Sequence, residues 1–122
     1  MASDSDTTIQ ALKDQLADFV AEREWEQYHH PKEVAISLAV EAGELLEIFQ
    51  WTEKKPVAEL KKDGKFMARV RDELPDVLGY CLDLAMRLDI DVSQAFSEKM
   101  ESNKKRYPVE KSKGKHTKYT EL

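Results

Sequence analysis

The chain has one cysteine, Cys81, among 122 residues, so no disulfide can close within it and a reducing, intracellular setting is the expectation. Glycine and proline are scarce, four of each, which leaves little material for hairpin turns and sandwich loops and turns the fold class towards helices. No run approaches the ~18 apolar residues of a membrane helix, and the opening stretch, Met1 to Thr8, is too polar and acidic for a leader. Basic excess is missing too. With 24 acidic against 19 basic residues the net charge is -5, and the chain lacks the positive face that polymeric nucleic acid or an anionic membrane requires. What remains is a charged fraction of 35% and an apolar fraction of 41%, enough for amphipathic helices around one core in a cytoplasmic protein with a small-molecule partner.

Apolar residues recur at helical spacing in four stretches. Ile9, Leu12, Leu16, Phe19 and Val20 form the first, after a start that offers Asp6, Thr7 or Thr8 as N-cap, and it fades near Trp25. The second runs from about Pro31, a residue suited to a first helical turn, to Trp51; it carries Val34, Leu38, Ala42, Leu45, Ile48 and Phe49, with Ile36, Val40 and Leu46 widening the stripe. A helix apolar on two sides has to be buried on two sides, so an oligomer is expected. Residues 52–65 are Lys-rich and broken by Pro56 and Gly64, and read as a loop with at most a short turn. The third helix spans about Phe66 to Leu88, with Phe66, Val70, Leu74, Val77, Cys81, Leu84 and Leu88 at core spacing and a kink or bulge expected at Pro75. The fourth opens at Asp91, with Gln94 three positions on, and stops at Tyr107-Pro108. The expected organisation is a four-helix all-α domain over residues 1–108 and a polar tail over 109–122, disordered or ordered only against a partner.

Glu41 and Glu44 stand three apart on the second helix, Glu73 and Asp76 three apart on the third. Residues at i and i+3 share a helix face, so each pair aims two carboxylates one way, and in an antiparallel hairpin the pairs can converge. Converging carboxylates repel unless a divalent cation or raised pKa values relieve them, and oxygen-only ligands favour Mg²⁺ or Mn²⁺ over zinc. The bland alternative is ordinary surface charge. Against it, both pairs sit among apolar neighbours, and Gly43 has no evident use in a helix except to admit a close approach to the backbone. The four glycines, at 43, 64, 79 and 114, cannot form a Walker-type phosphate loop.

On these residues the chain resembles the MazG-like all-α nucleoside triphosphate pyrophosphohydrolases, whose signature E-x-x-E, spacer, E-x-x-D reads here as Glu41-Ala-Gly-Glu44, residues 45–72, then Glu73-Leu-Pro-Asp76. Trp25-Glu-Gln-Tyr-His29, Phe49-Gln-Trp51, Asp76-Val-Leu-Gly-Tyr80, Arg106-Tyr-Pro108 and Lys118-Tyr-Thr-Glu-Leu122 resemble the dCTP pyrophosphatase branch, over residues 9–122. The resemblance implies a helical protomer in a homotetramer that converts dCTP and water to dCMP and diphosphate. It makes Glu41, Glu44, Glu73 and Asp76 the catalytic and metal-binding set, with Mg²⁺ as the expected ion and Mn²⁺ as an alternative. Pro75, and a carboxylate at Asp83 where the family looks apolar, depart from the pattern.

A triphosphate binds an acidic protein only through metal bridges and a few cationic donors. Lys99, Asn103 and Arg106 recur on one helical stripe that can grip phosphate, or can be a solvated face. Trp25, His29, Trp51 and Tyr80 are the candidates for base and sugar; an aromatic face stacks on any base, so discrimination needs a polar partner, which the sequence leaves unnamed. Rival readings are a relative acting on dUTP, on deoxynucleotides broadly or on phosphoribosyl-ATP, and a helical oligomerisation module without activity.

Overall fold

The computed structural model describes residues 2–122, and among them there is no strand. Six helices follow in order: α1 (Ile9–Glu22), α2 (Pro31–Gln50), α3 (Val57–Lys62), α4 (Gly64–Arg87), α5 (Val92–Arg106) and α6 (Val109–Ser112), with 3₁₀ turns at Glu26–Tyr28 and Tyr119–Glu121. None is long and apolar enough to cross a membrane. The chain forms two compact units, a first ending at Asp89 and a second, Ile90–Leu122.

Side-chain caps set the starts of the long helices. Thr8 accepts from the backbone N–H of Ala11 at 3.0 Å, Asp63 from that of Phe66 at 3.1 Å and Asp91 from that of Gln94 at 2.9 Å. At α2 the ring of His30 accepts from the N–H of Lys32 at 3.1 Å, ahead of Pro31 in the first turn. Because Asp63 caps α4, that helix starts two residues earlier than its apolar pattern. The Lys-rich stretch before it, read as a loop, contains α3. Pro75 lies within α4, which continues through it to Arg87 although the carbonyl of Arg71 loses its helical donor there.

Helix α1 ends at Glu22, three residues before Trp25, because the chain turns left-handed. Glu24 has φ 54°, its N–H donates to Ala21 O at 3.0 Å, and the N–H of Trp25 reaches back to Val20 O, also at 3.0 Å. This is a Schellman closure with glutamate where glycine is usual, and with so few glycines the sequence offers no signal for it. Through the 3₁₀ turn that follows, this corner delivers Trp25 and His29 to the start of α2.

In the first unit α2 packs mainly against α4, and α1 and α3 also pack on α4. Its core is small: Val20 from α1, Val34 and Ile48 from α2, Leu82 and Ala85 from α4. Phe49 meets Phe66 edge-on at 5.2 Å yet stays exposed, as do Leu74 and Leu88, all expected in the core; Cys81 is exposed too. Ile36, Val40 and Leu46 leave the second apolar face of α2 bare within one chain. In the second unit, the tail expected to lack structure forms α6 and a 3₁₀ turn, and the Tyr119 ring packs edge-on against Tyr107 at 6.0 Å with the Arg106 guanidinium 4.9 Å from its centroid.

Replacing Glu24 by glycine is expected to raise stability by about 1 kcal/mol, since it removes the Cβ from a left-handed position, whereas Glu24→Val lowers it. Denaturant midpoints of the two variants against the parent chain check this.

Candidate active site

The packing of α2 on α4 brings the two acid pairs together. Glu41 and Glu44 face across from Glu73 and Asp76, and carboxylate oxygens of Glu41, Glu73 and Asp76 all lie within 4.8 Å of one another. The oxygens Glu41 Oε2 and Glu73 Oε2 are buried and have no hydrogen-bond partner. An unpartnered buried acceptor is costly, so two in one cluster are a deficit of positive charge. Burial first, then the Glu44 carboxylate, then Asp76 and Glu73, pushes the Glu41 carboxyl up from 4.5 to about 7. Glu73 is raised as well, by burial and then by Glu44, Asp76 and Asp72, against a smaller opposing effect of Glu41. Beside the cluster, Glu44, Glu47, Ile48, Arg69, Asp72 and Glu73 line a cavity of about 320 Å³. Glu47 continues the three-residue spacing of Glu41 and Glu44, and Asp72 and Arg69 precede Glu73 by one and four residues. That extended spacing was the available signal for an acidic site wider than four residues.

A second cavity, of about 250 Å³, is mostly apolar and includes Trp25, His29, Asp76, Gly79, Tyr80 and Asp83 in its lining. Trp25 arrives from the corner after α1, held edge-on against Phe19 at 5.6 Å; Asp76, Gly79, Tyr80 and Asp83 are successive positions on one face of α4. His29 and Tyr80 also line a smaller depression, about 190 Å³, with Tyr28, Glu33 and Ser37. Asp76 is the junction: it belongs both to the carboxylate cluster and to the wall of the aromatic cavity.

Of the expected base-binding residues, Trp25, His29 and Tyr80 share this cavity. Trp51 does not: it caps the C-terminus of α2 and is 87% exposed, because its backbone turns out of the helix there and no side chain of the first unit covers it. Lys99, Asn103 and Arg106 stand on α5 in the second unit, where Arg106 is engaged with Tyr119. At Gly43 a Cβ would meet nothing within 4 Å, so no part of the chain itself makes the close approach read from the sequence. Asp83, which the sequence marked only as a departure, is 1% exposed and holds two partners: the Arg87 Nε–H donates to its Oδ1 at 3.1 Å and the His29 ring, through Nδ1, to its Oδ2.

The chain resembles proteins of known activity along most of its length. It is 43% identical to dCTP pyrophosphatase 1 of mouse over 118 residues, covering 94% of this chain and 68% of that protein. Against the bovine dCTP pyrophosphatase 1 it is 39% identical over 118 residues, covering 97% and 70%. The crystal structure of a pyrophosphatase from Archaeoglobus fulgidus superposes with a TM-score of 0.74 at 36% identity, over 88% of this chain and 99% of that one. The model of the MazG-like family matches residues 36–122, which include all four carboxylates. With the acid pairs joined across α2 and α4 and that match over most of its length, the chain belongs to the MazG-like family.

Proposed function

We propose that the chain is a metal-dependent pyrophosphohydrolase that converts dCTP and water to dCMP and diphosphate. The observation that carries this reading is Asp76, shared by a carboxylate cluster with unpartnered buried oxygens and by an aromatic cavity, so that phosphate chemistry and nucleoside binding meet on one side chain. The named activities of the mouse and bovine relatives support the same substrate. A water oxygen forms a bond to the α-phosphorus as its proton passes to a carboxylate of the cluster, and the bond from that phosphorus to the bridging oxygen breaks, its electron pair leaving with diphosphate.

The residues fit a hard divalent cation: all four donors are carboxylates, and the orphaned oxygens of Glu41 and Glu73 are the atoms a cation would satisfy. Glu41, Glu44, Glu73 and Asp76 would hold Mg²⁺, which when bound neutralises phosphate charge and acidifies a coordinated water. Trp25 stacks on the base, Tyr80 packs against the sugar, and Asp76 fixes the distance from these to the reacting phosphate. Trp51 and the donor stripe Lys99, Asn103 and Arg106 are assigned to substrate on the resemblance alone. The single Cys81, with no partner thiol, supports a reducing, cytoplasmic setting for the reaction. An inert oligomerisation module would have no reason to bury carboxylate oxygens without partners.

The assembly we propose is a homotetramer. A core of five residues leaves Ile36, Val40, Leu46 and Phe49 of α2 uncovered, and a face of that kind is stable in water only against another surface. Light scattering of the purified protein at micromolar concentration should give about four times the mass of one chain, and a well-folded monomer would overturn the assembly.

Glu41 binds its proton more tightly when folded than unfolded, so between pH 4.5 and about 7 the folded state carries the extra proton and stability falls as pH rises through that window. Thermal melts in EDTA should therefore show a falling melting temperature from pH 5 to 7.5. Excess Mg²⁺ should reverse the fall, by ~2.7 kcal/mol when free metal is about 100 times its dissociation constant, and Glu41→Gln should flatten it in EDTA.

Turnover is tested by diphosphate release from dCTP, CTP, dUTP and dTTP with Mg²⁺. The expected result is preference for dCTP, and loss of turnover in each of Glu41→Ala, Glu44→Ala, Glu73→Ala and Asp76→Ala with helical circular dichroism unchanged. Equal use of all four nucleotides would move the chain to a broad-specificity reading, and loss of helicity with activity would make the carboxylates structural.

A further inference from the structure

Asp83 is a buried carboxylate one turn beyond Tyr80 on the same face of α4, seven residues after Asp76 and not used by the chemistry above. A charge that deep has to be paired. Arg87, four residues on, donates from Nε to Oδ1 at 3.1 Å and supplies a permanent counter-charge. An ionised carboxylate only accepts, so Oδ2 takes its hydrogen bond from a His29 Nδ1–H. With the Asp83 charge balanced by Arg87, the group needs no second cation, and a neutral imidazole completes it without net charge. A neutral ring with its proton on Nδ1 has a lone pair on Nε2. His29 lines the aromatic cavity with Trp25 and Tyr80, and with Nδ1 engaged by Asp83 the ring nitrogen left free is Nε2.

We infer that Asp83 fixes His29 as a hydrogen-bond acceptor in the nucleobase cavity, and thereby selects a base bearing an exocyclic amino group over one bearing a carbonyl at that position. The inference rests on the dCTP reading above and supplies the polar discriminator that stacking cannot provide. Cytosine offers an amino N–H to the lone pair of Nε2; uracil and thymine offer a second lone pair, so acceptor faces acceptor. Asp83 is a positioning residue, acting through His29.

Asp83→Asn tests this by inverting the ring. The asparagine carbonyl is held by the stronger donor, Arg87, which turns its NH₂ towards His29 Nδ1; the ring then accepts at Nδ1 and carries its proton on Nε2, presenting a donor to the cavity. The ratio of kcat/KM for dCTP to that for dUTP should fall at least about tenfold, with dUTP turnover rising in absolute terms. A purely structural Asp83 would depress both substrates alike and leave the ratio unmoved. His29→Ala, which removes the acceptor without disturbing α4, should bring the two substrates close to parity; an undiminished dCTP preference in it would overturn the inference even if Asp83→Asn did not fold. Long-range ¹⁵N–¹H correlation spectra of the histidine rings give a readout without turnover. The Nδ1–H tautomer is expected for His29 in the parent chain and Nε2–H in Asp83→Asn, and an Nε2–H tautomer in the parent chain would overturn the assignment. A parent chain that hydrolyses dCTP and dUTP equally also overturns it while leaving the pyrophosphohydrolase reading intact; one that hydrolyses no nucleotide would overturn both.

Discussion

Four carboxylates brought to one junction of two helices repel each other, and the contact between α2 and α4 exists despite that. It is held by apolar side chains to either side of the junction: Val34 and Ile48 on α2, Leu82 and Ala85 on α4. Fully burying a valine, leucine or isoleucine side chain contributes roughly 1.5–3 kcal/mol, and Ala85 less, so a handful of contacts holds the helices at a separation their charges oppose. The raised proton affinities of Glu41 and Glu73 and their unpartnered oxygens are the visible result. The strain is local and sits where the proposed cation would relieve it, which makes ion binding and helix packing one equilibrium rather than two.

The carboxylate pairs were legible in the sequence because their meaning is carried by spacing: three residues apart on a helix is one face whatever the surroundings. The same holds for the cap at Asp91 and the apolar stripe of α2, and for the closeness of Tyr80 to Asp76. Positions fixed by non-local contact or by backbone conformation were not legible. The left-handed Glu24 carries no glycine to announce it, so α1 was read three residues too long. Phe49, Leu74, Cys81 and Leu88 recur at core spacing and yet face outward in one chain, since periodicity reports an apolar face but not what covers it. Asp83 is the sharpest case. A lone acidic residue in an apolar helix reads as an anomaly until His29, more than fifty residues away, and Arg87 are seen beside it.

The same helix face thus handles two kinds of acid in opposite ways. Asp76 and Glu73 stand in a group of like charges with no ion pair to a cation among the described residues, whereas Asp83 is closed off by an arginine and a histidine. The former arrangement is suited to an exchangeable ion and the latter to a permanent internal fixture. Proximity of carboxylates alone therefore does not define a site; whether the chain itself supplies the counter-charge does.

Asp76, Tyr80 and Asp83 lie on one continuous helix, and a helix is a ruler with a rise of about 1.5 Å per residue. Four residues from Asp76 to Tyr80 fix about 6 Å along the axis, and seven to Asp83 about 10 Å, with no loop between them to absorb a misfit. In the proposed site, the end that would receive the phosphate and the end that would receive the base are graduations on the same rod. A nucleotide whose base seats badly cannot be accommodated by a shift at the cavity alone; its phosphorus moves with it, out of line with the carboxylates. Selectivity in such a site is registered in the rate of bond breaking as much as in the tightness of binding, because the rigid spacing converts a poor fit at one end into misalignment at the other.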